Sequence, residues 1–417
     1  MKSNKNNLPS SNILLIDNFG LSHYTSYLAR GLSKYRRVIL YGLSRNDFLT
    51  ASRGEVENIE FHSLEKRLPK SSSIPAIIFR SLFLFFILLI ELNKRKYDIV
   101  HVQGYLPMFF LLIPMLKLKR KQIFLTIHDV DLMPSSAGVR GKLDRLYTKL
   151  IIQPTLLSKY SNAVIVHAQS LKRKLVSKQM DRNKIHVIPH FDYNYLLETS
   201  SIHGQNSLDD SYHCQFQNDL PQDYALFFGY VVPWKGVDVL TEAAKLVSNQ
   251  MGEKFNLVIA GTHYYGYQSY FNNLFKEGKN DCIHLINRYI RSFEIPEIIK
   301  NSSFLILPYT KDFQHSVSGV IPLAYTFSKP VIVSDLEPLA EYVENGKTGL
   351  IFQPGNSVQL ANCIIELTKN KDLCNNLGYN ANQKLIKEMS LETCSRKINT
   401  LYHNYELSAL NFDKREK

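Results

Sequence analysis

Short apolar runs alternate with longer segments of mixed polarity in the first half of the chain. The runs occupy residues 12–16, 38–42, 98–102, 123–127, 163–166 and 185–188. Each is four or five residues long and is bounded by polar or turn-forming residues, a pattern typical of a buried strand. Between the first two runs, residues 22–34 repeat apolar side chains at helical spacing. This alternation predicts a parallel sheet flanked by helices.

The same alternation continues in the second half, with apolar runs at residues 225–228, 257–261, 283–287, 304–308 and 331–334. The stretch 304–352 contains consecutive strand–loop–helix units, and Pro330 ends the first helix because proline cannot extend one. A strand that feeds a loop and then a helix places backbone N–H groups at the carboxyl edge of a parallel sheet. Anionic ligands bind at that edge in open α/β folds.

At 417 residues the chain is too long for one ordinary core, which predicts two domains. Its hydrophobic fraction of 45% excludes a disordered protein. Residues 198–222 are rich in Ser, Asn and Asp and are predicted to link the domains. We therefore expect a first domain at 1–197, a second at 223–392, and a terminal helix and tail at 393–417.

The chain carries a net charge of +13, and this charge is concentrated in its first half. Residues 1–200 contribute +16, whereas residues 201–417 contribute −3. A basic domain beside a near-neutral one predicts that the first domain faces an anionic partner. A phospholipid surface and a phosphorylated acceptor both fit. Nucleic acid does not, because the basic residues neither form a known nucleic-acid motif nor alternate with an aromatic platform.

Five scattered cysteines form no CxxC pair and no metal-ligand spacing, which predicts a reduced compartment and no metal site. Residues 1–12 are polar, and the apolar run that follows them is too short for a signal peptide. We therefore expect a cytoplasmic protein.

Residues 74–92 form the most apolar stretch of the chain. Arg80 and Glu91 leave an uninterrupted core of ten residues, about half of what a membrane-spanning helix needs. The stretch therefore predicts either a helix that packs in the core or one that lies on a membrane surface. The basic cluster at 117–121 leaves a similar choice, between a solvated loop and a contact with lipid headgroups.

Two positions at strand ends are the strongest candidates for chemistry. His128, with Asp129 after it, follows the strand at 123–127, and a histidine can donate or accept a proton near neutral pH. Such a histidine can also serve only to cap a backbone group. Lys235 lies where a helix starts after the strand at 225–228. There an ammonium group and backbone N–H groups can together hold a diphosphate.

Four segments of the second half carry a resemblance to a known family. They are ALFFGYVVPWKGVDVL at 225–240, NLVIAG at 256–261, SGVIPLAYTFSKPVIVSD at 318–335 and NGKTGLIF at 345–352. They resemble the donor-sugar half of GT-B glycosyltransferases of the family 4 type, in the same order and spacing. The resemblance implies an α/β protein with the GT-B fold, in which two Rossmann-like domains face a cleft and the last helix crosses back to the first domain. It also implies transfer of a sugar from a nucleotide diphosphate sugar to a hydroxyl acceptor, with retention of configuration and with neither a metal nor a cofactor.

The resemblance assigns residues to the site as well. His128 and Asp129 are the expected catalytic residues, close to the transferred sugar. The expected donor-binding residues are Gly20, Gly229, Lys235, Arg288, Ile290, Ser316, Ser318, Gly319 and Val320. Together with the basic first half, the family favours a lipid-linked or polysaccharide acceptor at an anionic membrane surface. The protein would then be peripheral on the inner face of the plasma membrane.

Three positions depart from the family pattern. Tyr230 stands where an arginine often follows the glycine, and His315 and Leu323 stand where the family carries two glutamates. The usual acidic contacts to the sugar and the ribose are therefore missing. Two other interpretations stay open: a catalytically inactive GT-B subunit that binds or scaffolds, and a GT-B nucleotide-sugar epimerase.

Overall fold

The structure, a computed structural model, divides the chain into two compact units. The first contains residues 1–130, 146–189 and 391–417, and the second contains residues 131–145 and 190–390. The residues that the structure describes are 11–17, 22–42, 48–49, 56–63, 97–104, 115–130, 160–197, 220–251, 255–264, 266–276, 281–313 and 316–413, with eight positions between 79 and 93. The predicted domain limits stay a prediction, because residues 198–219 lie outside these ranges.

The first unit is built on a sheet of seven described strands. They are β1 (Ile13–Ile16), β2 (Val38–Gly42), β3 (Ile59–Ser63), β4 (Ile99–Gln103), β5 (Gln122–Thr126), β6 (Ala163–Val166) and β7 (Ile185–Val187). Their order is β3-β2-β1-β4-β5-β6-β7, and every neighbouring pair is parallel. Strands β1, β2 and β6 are buried along their whole length. Burial on both faces explains why they appear in the sequence as continuous apolar runs.

Two helices follow strands of this sheet. Helix α1 (Ser22–Ser33) comes after β1, and helix α2 (Gln169–Ser177) comes after β6. Helix α1 buries Tyr27, Leu28 and Leu32, the apolar face that the sequence predicted.

The second unit repeats this arrangement with a sheet of six described strands. They are β8 (Tyr224–Phe228), β9 (Asn256–Ala260), β10 (Ile283–Ile286), β11 (Ser302–Leu307), β12 (Val331–Ser334) and β13 (Gly349–Phe352). Their order is β10-β9-β8-β11-β12-β13, again with parallel neighbours. From β8 the chain adds β9 and β10 on one side and then β11 to β13 on the other. The loops after β8 and β11 therefore lead to opposite sides of the sheet. In doubly wound sheets ligands bind at the point where two such loops diverge.

In its described part, the second sheet is covered by seven helices. They are α3 (Val237–Met251), α4 (Gln268–Leu274), α5 (Ile295–Asn301), α6 (Val320–Thr326), α7 (Glu337–Ala340), α8 (Ser357–Lys369) and α9 (Lys371–Lys384). Helices α3 and α8 pack against each other over one face of the sheet, and the side chains between them, such as Leu240, Val247 and Ile364, are fully buried. Each such aliphatic side chain contributes about 1.5–3 kcal/mol.

The last described helix belongs to the first unit. A π-helical turn (Leu385–Met389) and the extended residue Ser390 precede α10 (Leu391–Asp413). Helix α10 packs on α1 so closely that a Cβ on Gly31 would lie 2.0 Å from Oγ of Ser395. Only glycine allows this approach of the two helices.

An ion pair joins α10 to the first sheet. Arg36 is fully buried, and its guanidinium donates to both carboxylate oxygens of Glu406 at 2.6 and 2.8 Å. Its Nε donates to Oδ1 of Asn399 at 2.7 Å. Among the described residues, the carboxylate that compensates the charge of Arg36 therefore comes from α10. Across the described part of the chain, no helix combines the length and the apolar content that crossing a membrane requires.

Candidate active site

Three neighbouring strands of the second sheet end in one continuous edge. Gly229 follows β8 and donates its N–H to the carbonyl of Ala260 at 3.0 Å. Gly261 follows β9 and donates to the carbonyl of Ile286 at 3.0 Å. Gly261 has φ 151°, and a Cβ on it would lie 2.0 Å from the carbonyl oxygen of Gly229. Because these loops touch through their backbones, backbone groups form part of the surface at this edge.

Lys235 lies directly over this edge. Gly229 has φ 115°, and a Cβ on it would be 2.9 Å from Nζ of Lys235. The ammonium group faces the ring of Tyr309, with Nζ 5.6 Å from the ring centroid. Lys235 has no carboxylate partner among the described residues, and its side chain is half-buried. The site therefore holds a positive charge against a π-face and leaves it available to an anion.

The turn that carries Lys235 is fixed by the end of β11. Pro233–Lys235 is a 3₁₀ turn, and Gly236 after it is left-handed with φ 63°. A Cβ on Gly236 would lie 1.9 Å from the carbonyl oxygen of Pro308. The N–H of Thr310 donates to the carbonyl of Trp234 at 3.0 Å. Gly236 therefore fixes the turn that positions Lys235.

Tyr309 also reaches the start of α6. Its hydroxyl is 3.0 Å from Oγ of Ser318, which in turn accepts from the N–H of Val320 at 3.3 Å. Lys235 and the Ser318-Gly319-Val320 segment are thus connected through one buried tyrosine. Tyr309 was not predicted from the sequence, because an aromatic residue after a strand-ending proline has no signal that separates it from an ordinary core residue.

The predicted residues around α6 have different environments. A Cβ on Gly319 would lie 2.7 Å from the hydroxyl oxygen of Tyr193, so this glycine accommodates a second, half-buried tyrosine. Oγ of Ser316 donates to the carbonyl of Val317 at 3.1 Å. Leu323 is buried in the core, and this explains why an apolar residue suits the position. His315 and Gly20 lie outside the described residues.

The loop after β10 is braced by a half-buried ion pair. Arg288 donates to both carboxylate oxygens of Glu294, at 2.8 and 2.7 Å, and the N–H of Arg291 donates to the same carboxylate at 2.8 Å. Burial alone would raise the pKa of Glu294, but the hydrogen bonds and charges of Arg288 and Arg291 outweigh it and hold the pKa below its usual value. The guanidinium of Arg288 is thus committed to Glu294, and the side chain of Ile290 is buried. Any contact of Ile290 with a ligand falls to its backbone.

In the first unit, His128 lies after β5 and is bonded to a second histidine. Nδ1 of His128 is 3.0 Å from Nε2 of His167, which follows β6. Nδ1 of His167 is 2.9 Å from the carbonyl oxygen of Ile188. The ring of Tyr24 packs edge-on against His128, with centroids 4.8 Å apart. His167 is fully buried, and burial lowers its pKa to about 4 despite the opposing hydrogen bond to Ile188. Its imidazole is therefore neutral at pH 7.

A chain of polar side chains continues from His128 into the first sheet. Nε2 of His128 is 3.3 Å from the amide of Gln103, the amide is 3.1 Å from Nε2 of His101, and Nδ1 of His101 is 2.5 Å from the hydroxyl of Tyr402. Burial lowers the pKa of His101 to about 3, so this imidazole is neutral too. Asp129 follows His128 and is half-buried. Within the described ranges, no three His, Cys, Asp or Glu side chains come together as metal ligands.

A cavity of about 840 Å³ lies at the opposite, amino edge of the second sheet. Its lining includes Asp223, Lys329 and Lys371, where Lys371 and Asp223 form an exposed ion pair at 2.7 Å. None of the predicted site residues lines it. The donor-site candidates therefore lie at the carboxyl edge, where open parallel sheets bind ligands.

Comparison with known proteins gives matches over nearly the whole chain. The family described as "Glycosyltransferase Family 4" matches residues 20–191, and the family described as "Glycosyl transferases group 1" matches residues 210–384. An uncharacterized glycosyltransferase of Methanocaldococcus jannaschii is 27% identical over 282 residues, which cover 66% of this chain and 75% of that protein. The capsular polysaccharide biosynthesis glycosyltransferase CapM of Staphylococcus aureus is 21% identical over 243 residues, covering 58% of this chain and 61% of that one.

Among solved structures, Anabaena HepE in complex with UDP and glucose superposes with a TM-score of 0.65 at 17% identity. The match covers 94% of this chain and 100% of that one. Two parallel sheets with flanking helices, matched over this length, are the GT-B fold that the sequence predicted. The chain is therefore a glycosyltransferase, an enzyme with the GT-B fold that belongs to the family 4 type.

Proposed function

We propose that this enzyme transfers a sugar from a nucleotide diphosphate sugar to a hydroxyl group, and that Lys235 binds the diphosphate. The observation that carries this proposal is the position of the ammonium group. It lies over the backbone of Gly229 with no described carboxylate competing for it. A phosphate oxygen can approach the glycine closely and accept from both the ammonium and backbone N–H groups.

Three exposed tyrosines beside Lys235 support a nucleotide at this edge. The ring centroids of Tyr230 and Tyr264 lie 5.2 Å apart. Burial is the largest cause that raises the pKa of Tyr230, and the nearby Tyr289 and Tyr264 raise it further. Their exposed fractions are 40%, 41% and 64%. Exposed aromatic rings stack on nucleobases. The HepE structure contains UDP, so uridine diphosphate sugars are the first donors to test.

The reaction retains the anomeric configuration under this proposal, and it proceeds by positioning and charge stabilisation. Lys235 would stabilise the leaving diphosphate, which is the group that gains negative charge as the glycosidic bond breaks. His128 would contact the sugar or the acceptor hydroxyl, and Asp129 would lie beside it. Holding the two reactants in attack geometry lowers the activation barrier of the transfer without a carboxylate nucleophile.

An exposed apolar helix face in the first unit supports an acceptor at a membrane. Phe79, Leu82, Phe86 and Ile90 are exposed by 56%, 42%, 56% and 49%. Their spacing of three, four and four residues places them on one side of a helix. This face fits a helix that lies on the bilayer surface rather than one that packs in the core.

Basic residues lie beside this apolar face. Lys119 donates to the side chain of Asn93, at the end of the helical stretch. Leu118 is 86% exposed, and Lys117 and Arg120 are exposed next to it. An apolar side chain among cations suits anionic lipid headgroups. We therefore propose a lipid-linked or polysaccharide acceptor at the cytoplasmic face of the membrane. The name of the relative CapM agrees with polysaccharide assembly.

Isothermal calorimetry against UDP-, GDP-, dTDP- and ADP-sugars tests the donor site. We expect one donor class to bind and Lys235→Ala to weaken it about tenfold to a hundredfold, the loss of one charge-assisted contact. Lys245→Ala, on the exposed face of α3, is the matched control and should bind like the wild type. Failure of every donor to bind the wild type would contradict this site. Conversion of a free donor without any acceptor would favour the epimerase instead.

Sedimentation with lipid vesicles tests the membrane surface. The wild type should bind vesicles containing phosphatidylglycerol more strongly than pure phosphatidylcholine, and Phe86→Asp should reduce that binding. Tyr379→Asp removes an aromatic side chain of similar exposure from α9 in the second unit and serves as the control. Equal loss in both variants would argue against the apolar face as the binding surface.

A further inference from the structure

The hydrogen bonds around His167 determine which of its nitrogens carries a proton. Its Nδ1 faces the carbonyl oxygen of Ile188 at 2.9 Å, and a carbonyl can only accept. Nδ1 must therefore be protonated. Because the imidazole of His167 is neutral, its Nε2 carries a lone pair and accepts a hydrogen bond.

This arrangement in turn determines the tautomer of His128. The nitrogen that faces Nε2 of His167 at 3.0 Å is Nδ1 of His128. Since Nε2 of His167 accepts, Nδ1 of His128 must donate. A neutral His128 then has its lone pair on Nε2, on the side of the ring away from His167.

The remaining side chains are satisfied when His128 has this tautomer. The amide of Gln103 can turn by 180°, and hydrogen bonding decides its orientation. With its NH₂ group toward Nε2 of His128, the amide donates to His128. The Nε2–H of His101 is then shared between the amide oxygen and Oγ1 of Thr126, which lies 2.7 Å from that nitrogen, and Nδ1 of His101 accepts from the hydroxyl of Tyr402. Every member of the chain is neutral in this state. The contact between Gln103 and His128 is 3.3 Å, longer than the other contacts of the chain, so a substrate hydroxyl can replace it.

We propose that His167 is a positioning residue that holds His128 in its Nδ1–H tautomer, so that Nε2 of His128 accepts a hydrogen bond from a hydroxyl of the sugar or the acceptor. The inference rests on the proposed function in one respect, that His128 touches substrate. Without an acceptor for Nδ1–H, His128 can instead adopt the tautomer that is protonated at Nε2. Nε2 then donates, and it can no longer accept a hydrogen bond from the substrate hydroxyl. His167 touches neither the sugar nor the acceptor in this proposal and acts through His128.

NMR of the full chain with ¹⁵N-labelled histidine rings reads the tautomer directly and needs no substrate. The signals of His128 are assigned by their loss in His128→Gln. At pH 8 we expect a protonated Nδ1 and an unprotonated Nε2 in the wild type. His167→Leu should shift His128 toward the Nε2–H tautomer. His167→Gln, whose side-chain oxygen can accept near the position of Nε2, should keep the original one. A wild-type His128 with Nε2–H, or no change in His167→Leu, would overturn the proposal.

Hydrolysis of UDP-glucose, in which water accepts the glucosyl group and UDP is released, separates positioning from a merely structural role. We expect His167→Leu to lower kcat about tenfold, as for one lost hydrogen bond, with KM changed less than threefold. His167→Gln should restore most of kcat. In His128→Gln, the amide oxygen accepts a hydrogen bond and has no tautomer for residue 167 to select. Adding His167→Leu to that variant should therefore have no further effect. An equal loss in both backgrounds would contradict the proposal. If the wild type does not release UDP, either water does not serve as the acceptor or the assumed donor is wrong, and the NMR experiment still decides the tautomer.

Discussion

Tyr309 connects two parts of the donor-site edge through a single side chain. Its ring lies under Nζ of Lys235, and its hydroxyl bonds to Ser318. The ring and the hydroxyl therefore act on different partners and can be tested separately. A cation over an aromatic face gains about 0.5–1 kcal/mol when exposed and about 2 kcal/mol when desolvated.

Replacing Tyr309 by Phe or by Leu should affect donor binding differently. Tyr309→Phe keeps the ring, so the Kd for UDP-glucose should change less than threefold. Tyr309→Leu removes the π-face and should weaken binding about fivefold, equivalent to about 1 kcal/mol. Calorimetry measures both variants, and thermal unfolding shows whether each remains folded. Equal losses in the two variants would mean that the ring does not hold Lys235.

Gly229 offers a second test at the scale of single residues. Gly229→Ala introduces a methyl group 2.9 Å from Nζ of Lys235, so we expect the ammonium to move and donor binding to fall about tenfold, as for a lost charge-assisted contact. Gly346→Ala is the matched control, because Gly346 also has a positive φ, 73°, but nothing within 4 Å of the added carbon. Both variants should lose about 1–2 kcal/mol of folding stability. If Gly346→Ala weakened donor binding equally, backbone strain and not the position of Lys235 would be responsible.

At the scale of elements, the loop after β10 depends on one ion pair. Arg288 and Glu294 close the loop from its two ends, and the N–H of Arg291 adds a third bond to the same carboxylate. The carboxylate side chain is 5% exposed, whereas that of Arg288 is 34% exposed. The loop therefore keeps its form only while Glu294 is ionised and paired.

Glu294→Gln should destabilise the second unit by about 2 kcal/mol, less than for a fully buried pair because water reaches Arg288. The pKa of Glu294 is lowered in the folded protein, so its contribution to stability is present above the ordinary value of 4.5 and is lost as the pH falls through the folded value. The difference between variant and wild type should therefore shrink below about pH 4.5. Urea unfolding across pH 3–7 measures it. Asp223→Asn, in an exposed pair with Lys371, should leave the midpoint unchanged.

At the scale of the molecule, α10 completes the first unit with residues from the far end of the sequence. Gly31 allows α10 to approach α1, and Arg36 finds its only described carboxylate on α10. A guanidinium with no exposed surface cannot recover its hydration if that carboxylate is removed. The stability of the first unit is therefore linked to the sequence around Glu406.

Glu406→Gln should destabilise the first unit by about 3 kcal/mol, because it leaves Arg36 buried without a countercharge. Hydrogen exchange followed by mass spectrometry locates the effect. Amides of β1, β2 and β4 should lose protection, whereas those of β8 and β11 should keep it. Ser408→Ala, on the exposed side of α10, is the control and should change neither set. Equal loss of protection in both sheets would mean that the two units unfold together.

The sequence predicted the strands well because both sheets are parallel and buried. Continuous apolar runs such as 38–42 and 331–334 coincide with β2 and β12. Helix ends were less accurate: the terminal helix expected to start at residue 393 starts at Leu391 and extends to Asp413. Its second half is polar on the exposed side, so composition alone does not show where it stops.

Candidate site residues were proposed from the sequence only where one local motif carries them. Lys235 was proposed because a lysine and a glycine open a helix after a strand, and its role in donor binding stays a prediction. Tyr309 and Glu294 were missed, and so was the bond between His128 and His167, because each depends on residues that folding brings together from separate segments. No spacing rule within one segment can reveal such partners.

The pair formed by Arg36 and Glu406 also has a consequence for synthesis in the cell. The two residues are 370 positions apart. At roughly 5–20 residues per second, a ribosome needs roughly 20–70 s to add Glu406 after Arg36. Throughout that interval Arg36 lacks Glu406, its described carboxylate partner, and α1 lacks the helix that packs on it. The half of the protein that is translated first is therefore the half that finishes folding last.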